Sequence, residues 1–211
     1  MPKLKKPREM PSPPVTSRPD WIIAGLALVG LAVAGYLTAL KLGGNQAFLC
    51  RDGSGCDIVQ ASRYSLLAGL PTALWGAAVY AAILVLSVIP QTVRRWQLAF
   101  MLASAAVAFS IYLTYLSIFA IGATCPYCLV SGAIALLLLV TMMVRRPAAS
   151  GRAAQAYSLK RLAGLGITAG VAAVIFGAFI FAADFSTPAG YQMALAEHLK
   201  KNQAVFYGAY W

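Results

Sequence analysis

WQLAFMLASAAVAFSIYLTYLSIFAIGATCPYCLVSGAIALLLLVTMMV, residues 96–144, runs from Arg95 to Arg145 without a single charged side chain. As one helix it would be about 70 Å long at ~1.5 Å per residue, more than twice the ~30 Å of a bilayer core. It must fold back on itself. The turn falls at Ile121-Gly122-Ala123-Thr124-Cys125-Pro126, which leaves membrane spans at 96–120 and 125–144. Working outward, Trp21 to Leu40 is a further uncharged run of spanning length, and Leu162 to Ala183 is another. The uncharged stretch between Arg63 and Arg94 is interrupted at Gly69-Leu70-Pro71. It reads as a short interfacial segment followed by a span over 71–89, since Pro is tolerated in a first helical turn. Five spans are expected.

Composition agrees. Of 211 residues, 60% are apolar and 11% charged, against about 45–50% and about 25% in a soluble domain. A water-soluble chain of this length cannot hide so much apolar surface, and disorder needs the opposite composition. The net charge of +11 would fit nucleic acid only if it were concentrated. Instead Lys3, Lys5, Lys6, Arg8 and Arg18 precede span one, Arg94 and Arg95 follow span two, and Arg145, Arg146, Arg152, Lys160 and Arg161 follow span four. These alternate segments hold twelve of the seventeen positive residues, as expected when Lys and Arg stay on the cytoplasmic side during insertion. The expectation is a multi-pass protein of the bacterial cytoplasmic membrane with its amino terminus inside and no nucleic-acid partner. The Pro- and Lys-rich leader, residues 1–20, is expected to be disordered. Span one is too long for the core of a cleaved signal peptide and reads as a retained anchor.

This orientation puts all four cysteines, Cys50, Cys56, Cys125 and Cys128, on the extracytoplasmic side, where disulfides form and persist. Cys125-Pro126-Tyr127-Cys128 begins a helix, so both sulfurs share one helical face. Unpaired first-turn N–H groups and the helix dipole favour a thiolate there. Pro126 suits the first helical position. The arrangement fits a reversible disulfide. Cys50-Arg51-Asp52-Gly53-Ser54-Gly55-Cys56 is instead a polar, Gly-containing loop, whose flexibility would let a pair swing between an aqueous partner and the membrane surface. The bland alternatives are two static bridges stapling the outer loops, as in a non-catalytic transporter or scaffold, or a four-Cys zinc site.

The order of these elements resembles the vitamin K epoxide reductase family in its bacterial form. The likeness covers Trp21 to Val144 and rests on several features: the loop pair Cys50 and Cys56, then Asp57-Ile58-Val59-Gln60-Ala61-Ser62-Arg63-Tyr64, then Gly69-Leu70-Pro71, and last the helical Cys125-Pro126-Tyr127-Cys128. The resemblance implies a four-helix bundle, residues 21–146, enclosing a quinone of the ubiquinone, menaquinone or phylloquinone type. It implies a membrane thiol:quinone oxidoreductase that supports disulfide formation in exported proteins. Cys125 and Cys128 would be the active-site pair, with Cys128 facing the quinone and Cys125 exchanging with the loop pair. Cys50 and Cys56 would bring electrons from a thioredoxin-like dithiol protein or fused domain. Ser62 aligns with a family serine on the quinone side. Animal members carry a Tyr four residues after the last Cys; here that position is Gly132, so its contact is not carried over.

Trp75, Tyr80, Phe109, Tyr112 and Tyr115 are available to line a pocket, although aromatic residues in membrane helices are more often packing. Gly166-Ile167-Thr168-Ala169-Gly170 allows close helix contact. A cytoplasmic linker and the fifth span occupy residues 147–183. Residues 184–211 read as an amphipathic helix and a strand, too little for a domain of their own, resembling the incomplete start of a thioredoxin-like fold, with His198 on the helix surface. The expected fold is thus an all-α integral-membrane four-helix bundle, plus a fifth transmembrane helix leading to a truncated thioredoxin-like segment.

Overall fold

The computed structural model describes residues 19–43, 54–147 and 157–184. The expectations for Cys50, for most of the leader and the linker, and for the tail with His198 lie outside these residues. Six helices appear among the described residues: α1 (Trp21–Gly43), α2 (Gly55–Ala61), α3 (Thr72–Val88), α4 (Val93–Leu116), α5 (Pro126–Val144) and α6 (Leu159–Asp184). All but α2 are long and apolar. Four of these meet the length of a membrane span, and α3, with 17 residues, sits at the lower end of the spanning range of ~17–25. The protein is an all-α, multi-pass membrane protein.

Local chemistry sets the boundaries. Asp20 precedes α1, where its carboxylate accepts from the Ile22 amide at 3.3 Å and from Arg145 Nη1 at 2.8 Å. This ties the start of α1 to the end of α5. Thr92 caps α4 by accepting from the Arg95 amide at 3.3 Å. The uncharged run turns where its sequence indicates. Helix α4 widens into a π turn over Ser117–Ile121 and stops at Gly122, whose φ of +74° suits a residue without Cβ. Pro126 then opens α5 with Cys125 just before it, outside the span. Between α2 and α3 come a 3-10 turn (Arg63–Ser65) and a small hairpin, β1 (Leu66–Leu67) against β2 (Leu70–Pro71), in register Leu66 with Pro71 and Leu67 with Leu70. The Gly69 interruption is the tip of that hairpin.

Small residues allow the helices to pack closely. Ala27 and Ala34 of α1 are buried against α3, and a Cβ on Gly30 would lie 2.5 Å from the Tyr80 ring. The Tyr80 hydroxyl donates to the Ser131 carbonyl at 2.7 Å, joining α3 to α5. Ile83, Phe100, Ala103, Leu138 and Met142 complete the core. Helix α6 lies along α4, and the expected close contact is seen: a Cβ on Gly170 would fall 3.0 Å from Ala108 Cβ. Leu28, Val29, Ile111, Leu136, Val140 and Ile167 point outward, where lipid rather than water is their natural neighbour. Because the spans alternate in direction, the end of α1, the starts of α3 and α5, and the end of α4 share one end of the bundle. Arg94, Arg95 and Arg145 are at the other.

Candidate active site

At the cysteine end, α2 lies across the mouth of the bundle and brings Cys56 to the start of α5. Ser54 caps α2 by accepting from the Asp57 amide at 3.4 Å, and Asp57 places an acidic side chain in its first turn. The segment around Cys56 is therefore helical, and Cys56 is 2% exposed. It is not the freely swinging position that a polar, Gly-containing loop implied. Gly55 explains the close approach. A Cβ there would stand 2.6 Å from the Thr124 carbonyl oxygen, so only glycine lets the two backbones meet.

As a result Cys125 Sγ lies 3.9 Å from Cys56 Sγ, with Leu40, Val59 and Tyr127 packed around the pair. Cys56 is disulfide-bonded, whereas Cys125 and Cys128 are free thiols. The Cys125 thiol is brought down to about 7. The side-chain hydrogen bond from Cys128 is the largest cause; burial opposes it, and the first-turn amides of Cys128 and Tyr127 add to it. The arrangement sets a thiol that ionises near neutrality against a sulfur already in a disulfide.

Cys125 and Cys128 line a cavity of about 80 Å³ enclosed by the ends of α1, α3, α4 and α5 and by α2. Its polar lining includes Lys41, Ser65, Thr72 and Thr114. Lys41 Nζ donates to the Gln60 carbonyl, joining the last turn of α1 to α2. The Ser65 hydroxyl is buried and has no hydrogen-bond partner. Cys128 also lines a second cavity, of about 240 Å³, deeper between α1, α3, α4, α5 and α6, and both cavities are mostly apolar. Leu37, Thr72, Ala73, Leu113 and Thr114 border both cavities. Cys128 thus stands where a small chamber meets a larger, deeper one.

Of the other residues singled out in the sequence, Trp75, Tyr80 and Phe109 line the deeper cavity. Tyr112 packs on Phe109 and Phe181, and Tyr115 on Phe119. Ser62 closes α2: its hydroxyl donates to the Val59 carbonyl at 2.7 Å, and it is not among the lining residues of either cavity. Gly132 abuts Ser110 of α4, with 3.4 Å from its notional Cβ to Ser110 Cβ. Lys41 and Ser65 were not singled out. Lys41 did carry a signal, as one of the few positive residues on the cysteine side of a chain whose charge otherwise gathers on the other. Ser65, a serine in a turn, carried none.

A multi-pass bundle with a thiol pair at the mouth of an apolar cavity defines a membrane protein equipped for redox chemistry. Residues 21–143 match the model of the vitamin K epoxide reductase family, and the chain belongs to that family. It is accordingly a membrane oxidoreductase.

Proposed function

We propose that the protein is a thiol:quinone oxidoreductase in which electrons enter at Cys50 and Cys56, pass to Cys125 and Cys128, and leave on a quinone. The 3.9 Å approach of Cys125 Sγ to Cys56 Sγ is the observation that carries this reading. A static staple has no need to hold a free, readily ionised thiol against a disulfide sulfur. In the exchange, the Cys56 thiolate attacks Cys125 Sγ of the Cys125–Cys128 disulfide and Cys128 departs as thiolate. The Cys50 thiolate then attacks Cys56 Sγ and frees Cys125. The Cys125 thiol, brought down to about 7, is a good leaving group in this second step.

The chamber residues fit a quinone as electron acceptor. Lys41 and Ser65 offer hydrogen-bond donors in the chamber that Cys128 lines, and the apolar chamber below, walled by Trp75 and Phe109, suits a prenyl tail. The quinone supplies a two-electron, two-proton sink. The dithiol of Cys125 and Cys128 gives up two electrons and both thiol protons as their S–S bond forms. Ser62 supports the site by closing α2 behind Cys56, a positioning role. The bundle over residues 21–146 is the catalytic unit. The expected donor is a thioredoxin-like dithiol protein or a domain fused after α6, the purpose is disulfide formation in exported proteins, and the cysteine end faces the exterior of a bacterial cytoplasmic membrane.

The test compares donors. With dithiothreitol, the full chain reduces a short-chain quinone; Cys128→Ala loses this activity while keeping its melting temperature. Replacing Cys50 and Cys56 together spares dithiothreitol-driven turnover more than turnover driven by a reduced thioredoxin-like protein. Equal loss with both donors would show that the loop pair does not shuttle electrons.

A further inference from the structure

Lys41 is the one charged side chain among the described residues lining the chamber that holds Cys125 and Cys128. It occupies the last turn of α1, where its ammonium donates to the Gln60 carbonyl. The one ion pair among the described residues, Arg145 with Asp20, is at the other end of the bundle. Among the described residues no carboxylate pairs with that ammonium, and an unpaired cation beside a mostly apolar membrane cavity is costly to keep. Two structural roles offset some of that cost: a cation near a helix C-terminus meets the negative end of the dipole, and a long side chain can reach the interface. Neither requires Lys41 to line the cavity beside the thiol pair.

Building on the quinone reading above, we propose that Lys41 is a catalytic cation: its ammonium stabilises the negative charge that develops on a ring oxygen of the quinone as Cys125 and Cys128 are oxidised. The balance is that of the dithiol reaction. Two electrons and two thiol protons leave the cysteines, the Cys125–Cys128 bond forms, and quinol is released. Lys41 gives up no proton overall. Its charge acts at the acceptor, whereas the Cys125 thiol is lowered by the Cys128 hydrogen bond and the first-turn amides against the opposing effect of burial. A fixed charge in a water-poor site needs no reorganisation when negative charge appears beside it.

The experiment uses the full chain in nanodiscs and two variants chosen to separate charge from tethering. Lys41→Gln keeps a donor for the Gln60 carbonyl but removes the charge, and Lys41→Arg keeps both. The first readout is binding without turnover, followed by quenching of tryptophan fluorescence. The anionic 2-hydroxy-1,4-naphthoquinone should bind K41Q at least ~10-fold more weakly than wild type or K41R, a loss of about 1.4 kcal/mol. Neutral menadione should bind all three alike. The second readout is dithiothreitol-driven menadione reduction, with kcat of K41Q lowered on the order of 100-fold, KM little changed, and K41R close to wild type. Reduction of the protein's own disulfides by dithiothreitol, trapped without quinone, should be the same in all three. A K41Q variant that binds the anion and turns over like K41R would reduce Lys41 to a tether and overturn the proposal. Failure of the wild type itself to reduce menadione would instead overturn the quinone reading.

Discussion

Cys125 depends on Cys128 for more than a partner in a disulfide. The hydrogen bond from Cys128 is the largest cause that brings the Cys125 pKa down to about 7. In the dithiol state the thiolate fraction of Cys125 therefore rises as pH rises through 7 and levels above it, and exchange with Cys56 follows the same curve. Cys128→Ser keeps a hydroxyl donor at this position, whereas Cys128→Ala removes the bond and moves the inflection up toward an ordinary thiol value of about 8.5. The pH dependence of alkylation of Cys125, measured in a background without Cys50 and Cys56, checks this; an inflection unchanged in C128A would show that the amides alone set it. Ser65 makes a second prediction at this scale. A buried hydroxyl without a partner costs about 1–3 kcal/mol, so Ser65→Ala should leave the melting temperature unchanged or raised while weakening quinone binding. A lower melting temperature with unchanged binding would identify Ser65 as structural. The role of Ser65 was not legible from spacing, because an unsatisfied hydroxyl is defined by what the fold places around it.

The C-x-x-C motif and its place at a helix start were plain in the sequence, because Pro126 and the uncharged run beyond it fix the local conformation. The loop pair was less so. Gly53 and Gly55 read as flexibility, but Gly55 serves close approach: its missing Cβ lets α2 rest on the Thr124 backbone. That contact comes from tertiary packing between segments about seventy residues apart, and local pattern carries no trace of it. It yields a prediction for the element. Gly55→Val should push α2 outward and lengthen the Cys56–Cys125 separation, slowing transfer from a protein donor by roughly 100-fold, the order expected for a misplacement of about 1 Å. Dithiothreitol acting directly on Cys125 and Cys128 should be affected far less. Equal turnover of G55V and wild type with the protein donor would show that the approach of α2 is not needed.

For the whole molecule, membrane architecture was the most legible level. Charge-free runs gave the long helices to within a few residues, since a chain with so few charges has no other way to satisfy its backbone in lipid. The cavities were not legible, because they arise from which faces of α1, α3, α4 and α5 turn inward, and aromatic residues occur on inward and outward faces alike. Tyr115 is 58% exposed while Tyr80 is 3% exposed and walls the deeper chamber. The same charge distribution that predicts the spans predicts orientation. In a background without native cysteines, a cysteine placed at Arg94 should resist a membrane-impermeant maleimide in intact cells, and one placed at Thr124 should react. The reverse pattern would put the thiol chemistry in the reducing cytoplasm and remove its role in exported proteins.

The central claim is that the dithiol of Cys125 and Cys128 hands its electrons to a quinone. Its most direct test mixes the reduced full chain with one equivalent of menadione without any other reductant, then counts quinol formed and maps disulfides by mass spectrometry. The account predicts that quinol appears in step with a Cys125–Cys128 disulfide and that both vanish in C128A. Quinol formed at the wild-type rate by C128A, or a wild-type pair that stays reduced in the presence of quinone, would contradict it.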